Sequence, residues 1–325
     1  MPAVPDSVHP ENPAQRRVVL LGPTAGGKSE IALHLAEAIG AEIVGADSRQ
    51  IYRGLEVGTA APGAADRARA PHHMASFLSP AETYSAGRYA REARAAVSEV
   101  EGRGATAVIV GGSGLYLRAL LDGLFAGPER NEQVRAELMA RLEAEGLEAL
   151  RAELLRVDPA AHAKIFPGDS VRVIRALEVY RLTGTPISAL RRERRNEPLP
   201  ARRFGIRWSR QALAQRIEDR IRQQLRDGFL EEARALKEAG LPPDAPGLHT
   251  LGYRELLEYL RGRVTLEEAV QTVALRTRQL AKRQETWFRR TAGVRWFDLE
   301  SPAEFPAVAL QIRREMLLDQ GEETP

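Results

Sequence analysis

The spacing of apolar residues switches between two periods along the first third of the chain. Val18-Val19-Leu20-Leu21 is an unbroken apolar run, which predicts a short strand buried on both faces. From Ile31 to about Ile39 the apolar residues fall at helical spacing. Glu42-Ile43-Val44-Gly45-Ala46 predicts a second strand, ending in Asp47-Ser48. Residues 85–102 form an amphipathic helical stretch. Ala105 to Val110 is again continuously apolar and predicts a buried parallel strand, ending in Gly111-Gly112-Ser113-Gly114. Strands that alternate with helices predict an α/β fold around a parallel sheet. The C-terminal ends of these three strands then bring Gly22–Ser29, Asp47–Gln50 and Gly111–Gly114 to one edge, where open α/β sheets bind ligands.

Beyond Pro128 the pattern stays helical to about Pro200, with Asn131 or a neighbour as N-cap and breaks at Pro159, Pro167-Gly168 and Gly184. No strand pattern occurs there, so this stretch predicts a helical insertion. Arg202 to Trp208 reads as a strand that returns to the sheet. Helices follow at about Arg210–Asp227, Leu230–Ala239, Tyr253–Leu260 and Leu266–Arg290, then a strand at Gly293–Phe297 and a helix to about Leu318. The predicted organisation is a core from 16–127 and 201–318, an all-helical insertion over 128–200, and disordered tails at 1–15 and 319–325.

Composition narrows the picture. With 325 residues and 43% apolar content the chain can bury a substantial core plus an insertion. No apolar run reaches the length of a membrane span. Cysteine is absent, which removes disulfides, thiolate zinc sites and a cysteine nucleophile from consideration and fits a reducing cytoplasm. The net charge is +3 and the pI about 9.3. Arginine is dense at 191–195, 202–203 and 276–290. Those clusters suit either a nucleic-acid surface or solvated helix faces, and in 135–156 the charges alternate in sign as on a solvated face.

Gly22-Pro23-Thr24-Ala25-Gly26-Gly27-Lys28-Ser29 matches G-x-x-x-x-G-K-[ST], between a predicted strand and a predicted helix. Such a loop curls its N–H groups around one anion, aided by the helix N-terminus. Lys28 reaches an outer phosphate and Ser29 can hold Mg²⁺. The fold class is therefore a P-loop NTPase-like parallel sheet with helices on both faces, plus the helical insertion. The loop alone admits a nucleotide such as ATP or another diphosphate. Asp47, at the end of an apolar strand, suits a general base or a water-mediated Mg²⁺ ligand, and equally a turn cap. His72-His73 resembles a metal pair, but adjacent side chains diverge and no third ligand is evident, so loop packing is expected. Trp208, Trp287 and Trp296 are expected in the core or at its rim.

These residues resemble the tRNA dimethylallyltransferases, or tRNA prenyltransferases, over most of the chain. The phosphate loop resembles that family's GPTASGKT. Asp47-Ser48-Arg49-Gln50-Ile51-Tyr52-Arg53-Gly54 resembles its DSxQxYxG segment, and Gly111–Tyr116 its GGTGLY turn. Gly58–Pro62, Pro71–His73, Asp169–Glu178, Arg216–Arg220, Leu251–Glu255 and Arg278–Gln284 follow in the family's order. Ser29 and Ser113 stand where threonine is usual, Gly26 where serine is, and Ala61 where lysine often is.

The resemblance implies transfer of a dimethylallyl group from dimethylallyl diphosphate to N6 of adenosine 37, beside the anticodon of tRNA. It implies that Gly22 to Ser29 bind diphosphate, that Mg²⁺ sits on Ser29, and that Asp47, Thr24 and Arg220 carry the chemistry. Read without the resemblance, Arg220 pairs with Glu218 or Asp219. The anticodon stem-loop would meet Asp47, Ser48, Arg49, Gln50 and Ser113, where the target base is flipped out. It would also meet Arg135, Arg172 and Arg175 on the insertion, and His249, Thr250, Leu251, Gly252, Tyr253 and Arg254 on the core. Arg278 and Lys282 share a helical face that suits phosphates, or water. A cytoplasmic monomer without membrane attachment is expected. The competing readings are an isopentenyltransferase acting on free AMP and a P-loop small-molecule kinase.

Overall fold

A computed structural model describes residues 17–124, 127–192 and 198–318. The tails predicted at 1–15 and 319–325 lie outside the described residues. In chain order the elements are β1 (Arg17–Leu21), α1 (Lys28–Ile39), β2 (Glu42–Gly45), α2 (Glu56–Thr59), α3 (Ala64–Arg69), β3 (His72–His73), α4 (Ala86–Gly102), β4 (Ala107–Gly111) and α5 (Gly114–Leu121). Then come α6 (Glu132–Val157), α7 (Pro159–Lys164), α8 (Ser170–Thr183) and α9 (Ile187–Leu190). The chain ends with β5 (Arg202–Trp208), α10 (Arg210–Arg226), α11 (Phe229–Glu238), α12 (Tyr253–Leu260), α13 (Leu266–Phe288), β6 (Val294–Leu299) and α14 (Phe305–Leu318).

The strands make one parallel sheet in the order β3-β2-β4-β1-β5-β6. Val18 of β1 pairs with Val108 of β4 on one side and Arg202 of β5 on the other. Alternate β1 residues feed two cores. Val18 and Leu20 pack with Ile31 and Leu35 of α1, Ile217 of α10, and Val308 and Ile312 of α14. Val19 and Leu21 pack with Tyr89 and Val97 of α4 and with Leu117 and Leu120 of α5. Each such side chain, taken fully from water, contributes about 1.5–3 kcal/mol. That explains why β1 is apolar from Val18 to Leu21: both faces are covered.

Contacts divide the chain into two units, one running up to Leu121 and again from Leu199, the other Asp122–Pro198. The Leu199 N–H donates to the Leu121 carbonyl at 2.8 Å, so the core chain resumes within one hydrogen bond of where it stopped. The helical unit has its own core, including Leu138, Leu150, Leu154, Val173, Ile174 and Leu177. Asn131 caps α6, its Oδ1 accepting from the Val134 N–H at 3.0 Å. No helix among the described residues is long and apolar enough to cross a membrane.

Some elements escape the pattern. His72-His73 is a two-residue edge strand on β2, not loop: His73 Nε2 lies 2.6 Å from Glu42 and His72 Nδ1 2.8 Å from the Ala70 carbonyl. Two residues are too few to show a period. The short α2 and α3 are equally illegible, and α5 emerges directly from glycines that read as a turn. Gly146 (φ 79°, ψ 169°) interrupts the long α6.

Candidate active site

The phosphate loop leaves β1 and enters α1 as its motif requires. Gly27, the first residue before α1, has φ 88°, and a Cβ there would lie 2.1 Å from the Phe305 ring. Only glycine meets both demands. The loop carbonyls are held from behind. Trp208 Nε1 donates to Gly26 O at 3.0 Å, and Arg216 Nε donates to Ala25 O at 2.8 Å while its guanidinium covers the Trp208 ring. Lys28 Nζ donates to Pro23 O at 2.7 Å. Thr24 to Ser29, with the N-terminus of α1, line a cleft of about 630 Å³, the size of ordinary small-molecule sites. Gly22 and Pro23 do not line it; they are buried at the exit of β1, where the Pro23 carbonyl accepts from Lys28.

A second, smaller pocket of about 80 Å³ adjoins the cleft, with apolar walls that include Ile217, Ile221, Phe229, Leu251, Val273 and Leu280. Thr24, Asp47 and Arg220 line both spaces. The three residues expected to carry chemistry therefore stand at the junction of the loop-lined cleft and the smaller, mostly apolar pocket. Arg220 Nη1 lies 3.4 Å from Thr24 Oγ1 and Nη2 donates to the Thr59 carbonyl at 3.1 Å. Its pairing with Glu218 or Asp219 does not occur; Arg222 takes both carboxylates.

The electrostatics suit an anion. Burial pushes the Lys28 ammonium down to about 8, with Asp47 opposing the shift and Arg220 adding to it. Burial also lowers Arg220, again opposed by Asp47 and reinforced by Arg216. Two desolvated cations and one carboxylate thus share the junction, leaving an excess of positive charge for a polyanion to neutralise.

Asp47 Oδ1 accepts from the Arg49 N–H at 2.9 Å, so it does cap its turn, and it still lines the cleft. Ser113 Oγ accepts from the Ser48 N–H at 2.9 Å and lies 3.2 Å from Ser48 Oγ, which ties the β2 and β4 loops together. Gln50 Nε2 donates to the Thr59 and Ala60 carbonyls, at 3.2 and 2.7 Å. The cleft wall at 56–60 is fastened from three helices. Glu232 accepts from the Val57 and Gly58 N–H groups, Gln224 donates to their carbonyls, and the Tyr253 hydroxyl joins Glu232.

That last contact corrects an expectation. Tyr253 is fully buried and belongs to the core, and Thr250 and Gly252, also buried, line the small pocket beside Leu251. Leu251 faces the small apolar pocket. His249 and Arg254 are exposed. On α13, Arg278 pairs with Glu218 at 3.3 Å and Arg276 with buried Glu255, whereas Lys282 and Arg283 are exposed. On the helical unit Arg172 is exposed. Arg175 and Arg135 instead reach the fully buried Glu178, at 2.9 and 3.6 Å.

Several supports of the site carry no role in the sequence reading: Trp208, Gln224 and Glu232, and also Arg216 and Gln284, which mark only the ends of motifs. Gln284 did leave a signal. It lies on the apolar stripe of α13 with Ala281 and Phe288, and a polar residue on a buried stripe needs a partner.

A model described as IPP transferase matches residues 50–291, and one described as isopentenyl transferase matches 16–70. The tRNA dimethylallyltransferase of Geobacter metallireducens is 42% identical over 300 residues, 92% of this chain and 96% of the relative. The crystal structure of a tRNA isopentenylpyrophosphate transferase from Bacillus halodurans aligns with a TM-score of 0.68 at 34% identity, over 95% of this chain and 98% of that one. A eukaryotic dimethylallyltransferase described as acting on tRNA aligns with a TM-score of 0.80 at 25% identity, over 95% and 80%. With this agreement across nearly its whole length, the chain belongs to the tRNA dimethylallyltransferase family of IPP transferases.

Proposed function

We propose that this transferase moves the dimethylallyl group of dimethylallyl diphosphate to N6 of adenosine 37 in tRNA, releasing diphosphate. The observation that carries the reading is the junction: Thr24, Asp47 and Arg220 border both the phosphate cleft and the small apolar pocket. An allylic diphosphate laid across it puts its charged end on the loop, its hydrocarbon among Ile217, Leu251 and Leu280, and its breaking C–O bond beside the three residues.

In this reading Lys28 and Arg220 offset the charge that accumulates on diphosphate as the C–O bond breaks. N6 attacks the allylic carbon, the C–N bond forms, and the surplus N6 proton passes to the Asp47 carboxylate. An exocyclic amine is a poor nucleophile, so placement matters more than basicity. Ser48 and Ser113 flank Asp47 where the flipped adenine would enter. The donor set for a metal is Ser29, exposed at the start of α1, plus phosphate oxygens. That fits Mg²⁺, which favours substrate phosphates and few protein ligands; bound there, it would neutralise the departing diphosphate.

The direct test incubates the protein with Mg²⁺, dimethylallyl diphosphate and unmodified tRNA, then weighs the nucleosides after digestion. Prenylated adenosine in RNA, and none on AMP in a parallel tube, supports the reading. Prenyl-AMP, or ADP formed from ATP, replaces it with one of its rivals.

Anticodon stem-loop binding by the helical unit is read best from Arg172. Arg172→Ala should leave stability within about 0.5 kcal/mol and lower the salt slope of tRNA binding by about 1. An unchanged slope places the RNA elsewhere. Arg175→Ala strips a partner from buried Glu178 and should cost the helical unit roughly 3 kcal/mol in urea melts.

A further inference from the structure

We propose that Gln284 is a positioning residue for this reaction, holding the start of the phosphate loop against the glycine turn that follows β4. The inference rests on the proposed reaction for its turnover readout, but not for its binding readout. Gln284 comes from α13 and is buried. Its Oε1 accepts from the Thr24 N–H at 2.8 Å, and its Nε2 donates to the Gly112 carbonyl at 2.9 Å. Both ends of one amide are therefore used, each on a loop that reaches the site from a different strand.

The consequence falls on Thr24. Its N–H is committed to Gln284 and its hydroxyl lies beside Arg220. With the main chain fixed on one side and the side chain on the other, Thr24 has little freedom at the junction of cleft and pocket. Gly112 shows how closely the glycine turn packs on the Gln284 amide and on Asp47. A Cβ there would sit 2.3 Å from Gln284 Nε2 and 3.8 Å from Asp47 Oδ2. A side chain at 112 would thus displace the amide before it disturbed the carboxylate. Glutamine is the one common side chain of this length that donates at one end and accepts at the other while remaining neutral.

The test uses the full-length protein. Gln284→Met keeps the volume and removes both the acceptor for the Thr24 N–H and the donor to the Gly112 carbonyl. Turnover with tRNA should fall about 100-fold, the cost of misplacing reacting groups by about an ångström, with tRNA affinity nearly unchanged and only a modest drop in melting temperature from the two unpaired backbone groups. Affinity for inorganic diphosphate, measured by calorimetry, should fall several-fold because the loop is released at Thr24. Gln284→Glu adds a signature that loose packing would not produce. Its ionised carboxylate repels the Gly112 carbonyl, whereas the protonated acid restores both hydrogen bonds. Its activity relative to wild type should rise as pH is lowered from 8 to 6. Gly112→Ala should resemble Gln284→Ala, and the double variant should be no worse than Gln284→Ala alone, since the clash needs the amide.

Wild-type-like turnover and diphosphate affinity in Gln284→Met, a flat pH ratio for Gln284→Glu, or additive losses in the cycle would overturn the positioning role. If wild type makes no prenylated adenosine yet Gln284→Met still loses diphosphate affinity, the proposed reaction fails and the positioning role stands.

Discussion

Asp47→Asn leaves the fold and tRNA affinity in place and lowers turnover by about 10³-fold, within the range for loss of a general base. The amide keeps the oxygen that accepts from the Arg49 N–H, so the turn after β2 survives. It cannot take the N6 proton. Asp47→Ala removes the cap as well and should lose a little stability in addition. Single-turnover rates and tRNA binding, measured on the same preparations, separate the roles. Retained turnover would exclude Asp47 as the base. Lost tRNA binding in the asparagine variant would make it a recognition residue. A second effect follows from the charge. Asp47 is what raises Lys28 and Arg220 against their burial, so neutralising it lowers both further and donor binding should fail at a lower pH than in wild type.

Lys28→Met should abolish donor binding and raise the melting temperature. The sign comes from burial. The Lys28 ammonium is ordinary in the unfolded chain, at 10.5, and about 8 in the folded one. Below 8 both states carry the proton, and the folded state bears the cost of a charge drawn partly out of water into the cleft wall. Between 8 and 10.5 the unfolded chain holds the extra proton, so wild-type stability rises with pH there. At about 1.4 kcal/mol per unit the cost is roughly 3 kcal/mol at most. Methionine avoids it, and its stabilising effect should shrink as pH climbs through that window. Activity runs the other way. For wild type, kcat/KM for the diphosphate donor should fall as pH passes about 8. The kcat, set in the complex where diphosphate holds the proton on Lys28, should stay level to higher pH. A variant no more stable than wild type at pH 7 would show that the buried charge costs nothing.

The alternating strands and helices were legible because each sheet strand with two covered faces must be apolar throughout, as Val18–Leu21 and Ala107–Val110 are. The phosphate loop was legible because its geometry admits few residues. Arg220 was not. On its helix it has carboxylate neighbours at 218 and 219, and only the tertiary fold turns it toward Thr24 while Arg222 takes those acids. Tyr253 erred in the opposite direction. The resemblance places it at the RNA with the rest of its motif, and the structure spends its hydroxyl on Glu232 and the Gly58 amide. Arg175 is similar: its partner Glu178 is buried, which spacing alone does not reveal.

The hydrogen bond between Leu199 and Leu121 has a consequence for how such a chain changes over time. Seventy-seven residues, Asp122–Pro198, leave and return through one point of the core. The entropy of closing a loop grows only with the logarithm of its length, so the core is nearly indifferent to what hangs from that point. The helical unit is in this sense an exchangeable attachment. It can lengthen or shrink while the strands, the phosphate loop and the junction that would do the chemistry keep their register.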